Sequence, residues 1–120
     1  MPTYIFSILL ALTVSVDQLS DAFNKGNSSK IAEFFNDNIE LIIDNSEKMH
    51  SKSQAEQILN RFFSKNTVTS YKKIHEGKKD DTLFVVGQLI TKNGKYRVSY
   101  LLKEKNSIAK IHQLRIEADD

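Results

Sequence analysis

The chain has 120 residues, a formal net charge of +2, 40% hydrophobic and 27% charged residues, and no cysteine. That length buries one core but not two, and the composition excludes a disordered chain. The missing cysteine excludes disulfides, thiolate metal sites and cysteine nucleophiles, while the near balance of charge excludes one strong field over the whole surface.

The first segment, Tyr4 to Val16, carries no charge and runs directly into Asp17 and Gln18. As a helix rising ~1.5 Å per residue it covers roughly 20 Å, short of a bilayer's hydrocarbon thickness, so no stable membrane span is expected. Its length matches the hydrophobic region of a secretory signal cut after Ser15, although no Lys or Arg precedes it. That reading makes residues 1–15 a signal peptide and the mature protein periplasmic or otherwise exported. The alternative is that residues 1–15 extend the first helix and are retained in a cytoplasmic protein. Residues 16–118 form a single α+β domain under both.

Val16, Leu19, Ala22 and Phe23 recur at helical spacing, and Gly26 can end that helix in a left-handed conformation. Asn27 or Ser28 caps a second, short helix in which Ile31, Phe34 and Phe35 share a face and which ends near Phe35. Asn38 to Asp44 alternates with period two and reads as a strand, followed by a polar loop from Asn45 to His50. Ser51, with Gln54 three residues on, forms a capping box that opens a helix whose stripe is Ala55, Ile58, Leu59, Phe62 and Phe63. Lys65 and Asn66 end it, and Thr67 to Gly77 reads as a strand.

The remainder is an antiparallel meander. Asn93-Gly94 is a strong hairpin signal; as the centre of a type I′ turn it pairs Thr91 with Tyr96, Leu89 with Val98, Gly87 with Tyr100 and Val85 with Leu102. The next turn, at Lys105 to Ser107, admits two, three or four loop residues, and each slip flips the following strand. A three-residue loop sets His112, Leu114 and Ile116 beside Tyr100, Val98 and Tyr96 as one apolar face, and is the register expected.

This order of elements resembles the nuclear transport factor 2-like, or cystatin-like, cone: N-terminal helices packed on a curved antiparallel sheet. Lys25-Gly26-Asn27 ahead of Phe34-Phe35, the block Ser51 to Leu59 with Phe62 to Asn66, Asn93 to Val98, and the ending His112 to Glu117 resemble the small bacterial family called domain of unknown function 4783. The resemblance implies a fold and, for most members, export; it implies no catalytic role. A concave pocket between helices and sheet is implied too, and function in such a fold lives in pocket residues.

Tyr96, Tyr100 and His112 are the polar side chains expected to face that pocket as a ligand-binding cluster, with Gly87 opposite Tyr100 leaving room for a ring. His112 alone among them titrates near neutrality. Phe84, Val86, Leu101 and Ile111 fall on the other parity and are expected to form an apolar sheet face buried by a second copy or a partner. His50, His75 and His112 share no metal-ligand spacing, so neither metal nor cofactor is expected. The run Lys72 to Lys79, diluted by Glu76 and followed by Asp80 and Asp81, reads as a solvated strand and turn, so no nucleic-acid partner is expected. The reading favoured is a non-catalytic exported domain binding a small apolar ligand or protein partner, with homodimerisation through the sheet. The alternative is a ketosteroid-isomerase-like enzyme with His112 or a carboxylate, Asp44 or Glu40, as base and Tyr100 as hydrogen-bond donor.

Overall fold

The computed structural model describes residues 2–119, with side chains from Leu12 to Asp119. Among these, the elements follow as α1 (Pro2–Asn24), α2 (Ser28–Ala32), β1 (Phe35–Ile43), β2 (Ser46–Ser51), α3 (Lys52–Lys65), β3 (Val68–Lys79), β4 (Thr82–Thr91), β5 (Gly94–Lys105) and β6 (Ile108–Ala118). The side chains of residues 1–11, on which the signal-peptide reading mostly rests, lie outside the described ones. Leu12, Ser15 and Val16 of α1 are buried.

Local chemistry sets the helix ends. Gly26 takes φ +60°, and the amides of Gly26 and Asn27 donate to the carbonyls of Phe23 and Ala22, a Schellman stop that satisfies the last carbonyls of α1. Asn27 then caps α2 by accepting from the Lys30 amide at 3.1 Å. At α3 the capping box is complete, Gln54 N donating to Ser51 Oγ and Ser51 N to Gln54 Oε1, each at 3.3 Å. The stripe of α3 buries Ala55, Leu59, Phe62 and Phe63. Burying each of the larger ones contributes roughly 1.5–3 kcal/mol.

The six strands form one curved sheet in the order β2-β1-β6-β5-β4-β3. It is mixed, because β1 runs parallel to β6 while every other pair is antiparallel. Its inner face carries Leu83, Val85, Leu89, Val98, Leu102, Ile111, Leu114 and Ile116, which share one core with Leu19, Phe23, Ile31 and Leu59 from the helices.

Four local expectations need correction. Helix α2 stops at Ala32, and Phe35 instead opens β1, paired with Ile111. The segment Asn45 to His50 is largely strand β2, joined to β1 by a tight turn with Asp44 at φ 54° and Asn45 at φ 65°. Two left-handed corners are what a type I′ hairpin requires. Its polar residues gave no alternation, because β2 is an edge strand with little to bury. At the β4–β5 turn the corners are Lys92 and Asn93, not Asn93 and Gly94; positive φ occurs at Gly94 alone. Pairing therefore moves by two, so that Leu89 meets Tyr96, Gly87 meets Val98 and Val85 meets Tyr100. An even shift keeps every side chain on its expected face.

The β5–β6 turn is the fourth. Its loop has two residues, Asn106 and Ser107, both left-handed, with Lys105 opposite Ile108. A two-residue loop alone would have turned Leu114 and Ile116 outward. A bulge absorbs the slip: Leu102 pairs with Ile111 and Leu101 with Gln113, leaving His112 as the extra residue. Leu114 and Ile116 thereby return to the inner face, beside Tyr100 and Val98.

Candidate functional site

The inner face encloses two tyrosine rings, with Thr91 and Glu104 buried nearer the strand ends. Tyr100 on β5 is 0% exposed, and its ring stacks 6.0 Å from that of Phe23 on α1. Tyr71 on β3 stacks on the same Phe23 at 5.1 Å. A methyl group built at Gly87 would lie 2.2 Å from the Tyr71 hydroxyl oxygen. Gly87 thus does leave room for a ring, but the ring is that of Tyr71 rather than Tyr100. Neither Tyr71 nor Tyr100 has a hydrogen-bond partner for its buried hydroxyl. Burial pushes the ionisation of both above the ordinary phenol value of 10.0, and for Tyr100 the nearby Tyr71 and Glu76 push further. These hydroxyls stay protonated at neutral pH and can donate but not act as bases.

Tyr96 does a different job. Its hydroxyl donates to Asn66 Oδ1 at 3.1 Å, which also accepts from Asn93 Nδ2 at 3.1 Å. Asn93 Nδ2 donates in addition to the Lys65 carbonyl at 2.6 Å. Together with the edge contact of the Tyr96 ring on Phe62 at 5.0 Å, this clasp ties the end of α3 to the β4–β5 turn. It satisfies a helix carbonyl that would otherwise be orphaned and holds Asn93 out of the left-handed corner expected of it.

His112 is separated from both tyrosines. The bulge places it on the outer face, in a cleft of about 440 Å³ with Asn36, Lys103, Lys105, Asn106, Ile108 and Lys110. Its pKa is lowered, first by partial burial and then by the Lys103 ammonium, with Asp81 opposing. The three residues expected to converge on a pocket therefore occupy three places: core, clasp and outer cleft. The carboxylates fare no better as bases. Glu40 lies on the outer face, bonded by Gln113 Nε2, and that bond leads the effects that hold its pKa down. Asp44 occupies the β1–β2 turn. The acid whose charge reaches Tyr100 is Glu76 on β3, ion-paired with Lys73. Sequence reasoning missed Tyr71 and Glu76, and the signal was present in the period-two spacing of Tyr71 and Lys73, which aims the Tyr71 ring at the gap over Gly87.

Of the expected interface residues, Phe84 (39% exposed) and half-buried Leu101 do face outward and pair across β4 and β5. Val86 shares that face but is covered, and Ile111 is corrected to the core, because the β6 bulge begins only after it. Ile74 on β3, 60% exposed, is the extra residue of a second bulge between Lys73 and His75. Gly77 pairs with Phe84, and its missing side chain opens a cleft of about 470 Å³ bordered by Phe84, Leu101, Lys78, Asp81 and Thr82. Among the described residues, no group of three or more His, Asp or Glu is placed to hold a metal ion, and no helix is long and apolar enough to cross a membrane.

A curved sheet closing over N-terminal helices is the architecture of the nuclear transport factor 2-like proteins, and one of unknown function from Silicibacter pomeroyi superposes with a TM-score of 0.67 at 9% identity, covering 92% of this chain and 95% of that one. The chain belongs to a narrower group: residues 16–117 match the family described as domain of unknown function 4783. A member from Bacteroides ovatus is similar at 32% identity, with a TM-score of 0.83 over 86% of this chain and 94% of its own. Another, from Bacteroides uniformis, is 36% identical, with a TM-score of 0.82 over 87% and 96%. No curated protein matches the sequence.

Proposed function

We propose that the protein is a non-catalytic interaction module of the cell envelope that docks a second copy of itself through the outer face of its sheet. The observation that carries this reading is Phe84, an exposed aromatic standing beside the open cleft over Gly77. The two features are self-complementary: in a two-fold pair, Phe84 of one copy can fill the cleft of the other, as an isologous interface requires. Leu101 widens the apolar centre, and Lys78, Asp81 and Gln113 give it a polar rim of both signs. A molecule measuring 48 × 27 × 21 Å has a broad face large enough for the ~800 Å² per partner of a standard interface.

The enzyme reading loses its geometry, because Tyr100 is enclosed on the inner face and His112 lies on the outer one. Sedimentation equilibrium of the full chain is the test, beside Phe84→Asp checked for folding by circular dichroism. A dimer that Phe84→Asp converts to a folded monomer is expected. A monomer at the highest soluble concentration, or a dimer indifferent to the substitution, overturns the proposal; a small molecule found in the cleft by native mass spectrometry would replace it with an apolar-ligand function. Export is part of the same proposal, and the N-terminus of protein taken from its own cells tests it: a start at Val16 supports export and an intact Met1 refutes it.

A further inference from the structure

The outer cleft at the β5–β6 hairpin is built against its own electrostatics. Lys103 and Lys110 are direct cross-strand partners, an arrangement in which like charges destabilise a sheet. Lys105 stands two residues beyond Lys103 on the same face, roughly 7 Å along the strand, and all three lysines line one concavity. The bulge adds His112 to them, the kind of re-aiming for which bulges are retained. No carboxylate lines this cleft, and no ion pair among the described residues engages Lys103, Lys105 or Lys110. Asn36 and Asn106 contribute amide donors; Asn36 Nδ2 spends one hydrogen on the Asn38 carbonyl and keeps another.

We propose that this cleft is a binding site for a phosphate-class oxyanion, free or carried at the end of a larger molecule. Three ammonium groups, an imidazole and two amides match a compact, doubly charged, oxygen-rich group, which accepts several charge-assisted hydrogen bonds at once. A single carboxylate would leave most of that charge uncompensated. The bound anion offsets the Lys103–Lys110 repulsion, and it reverses the balance at His112, where partial burial and Lys103 now disfavour protonation against the opposing Asp81. The charged groups acting on that imidazole are Lys103 from the hairpin and Asp81 from the adjoining β3–β4 turn, and Lys105 and Lys110 line the same cleft. Exposed Ile108, opposite Lys105 at the hairpin end, supplies an apolar contact beside the anion.

Nuclear magnetic resonance of the full chain tests the proposal, with inorganic phosphate titrated at constant ionic strength against chloride. Saturable shifts at the His112 ring and the Ile108 amide are expected, with a higher His112 pKa in the complex. The double variant Lys103→Gln with Lys110→Gln, folded by circular dichroism, is expected to bind at least ~10-fold more weakly and to melt at a higher temperature than the parent when phosphate is absent. Sedimentation with phosphatidylglycerol vesicles, against phosphatidylcholine ones, separates the sources. Pelleting with the first alone, lost in the double variant, places the anion on a lipid headgroup, and phosphate binding without pelleting makes it a soluble one. Shifts that chloride reproduces, or binding of either probe that the double variant retains, overturn the site.

Discussion

On β4 and β5 the residues that face the helices, Leu83, Val85, Leu89, Val98, Tyr100 and Leu102, are all buried, whereas Phe84, Gln88, Arg97 and Ser99, one position along, are exposed or half-buried. The inner face is closed by shape. One glycine admits one ring, and two tyrosines share one phenylalanine. The outer face is left open, and its two clefts arise where a side chain is missing, at Gly77, or re-aimed, at His112. The difference teaches that in this fold the enclosed face carries stability and the open one is free to carry recognition, the reverse of what a cone-shaped pocket suggests.

Gly87→Ala is the sharpest way to break that division. A methyl group there meets the Tyr71 oxygen at 2.2 Å and its ring carbons within 2.5 Å, too close for a stiff ring to yield without shifting backbone, so a loss of about 2–3 kcal/mol in denaturant unfolding is expected. Tyr71→Ala in the same chain removes the clash and should make the two substitutions clearly non-additive. Additive losses would mean that Gly87 is required for some other reason.

A smaller effect of opposite sign is expected at Tyr100→Phe. The Tyr100 hydroxyl is buried without a partner, so its removal should stabilise the protein by about 1 kcal/mol. The change should also blunt alkaline unfolding. A phenol whose folded-state ionisation lies above its unfolded value of 10.0 keeps its proton longer when folded, so stability is full below pH 10.0 and falls above it. The parent should therefore lose stability above that pH more steeply than Tyr100→Phe, as followed by melting temperature against pH. Destabilisation by Tyr100→Phe would point to a bound water or ligand on the hydroxyl.

On the outer face, Glu117→Gln removes the Arg115 ion pair at 3.6 Å. Both side chains are more than a third exposed, so stability should stay within about 0.5 kcal/mol of the parent. A larger loss would show that the covered part of the outer face reaches Arg115 and Glu117, beyond the Phe84–Leu101 patch.

Much of the fold was legible because its signals are local. Gly26, Asn27 and the Ser51–Gln54 box mark helix ends by chemistry that acts within six residues, and the stripe of α3 is read by spacing alone. Strand parity survived a misplaced turn because the error at Lys92-Asn93 was even. The candidate site was much less legible, since it depended on one residue of register. The β6 bulge kept Leu114 and Ile116 on the face expected of them, one pair further along β5, and removed His112, and no periodicity announces an extra residue in a strand. Ile111 was misassigned for the same reason. Strand β2 was hidden because an edge strand of Glu, Lys, Met and His has no buried face to alternate with.

The bulges also bear on how the chain behaves when crowded. The open edge at β3 is long, runs through Lys72, Lys73, Lys78 and Lys79, and is broken between Val68 and Ser70 and again between Lys73 and His75. A kinked, positively charged margin is a poor template for another strand. Kinks and charge guard the β3 margin together, so its protection against edge-to-edge pairing does not rest on the lysines alone.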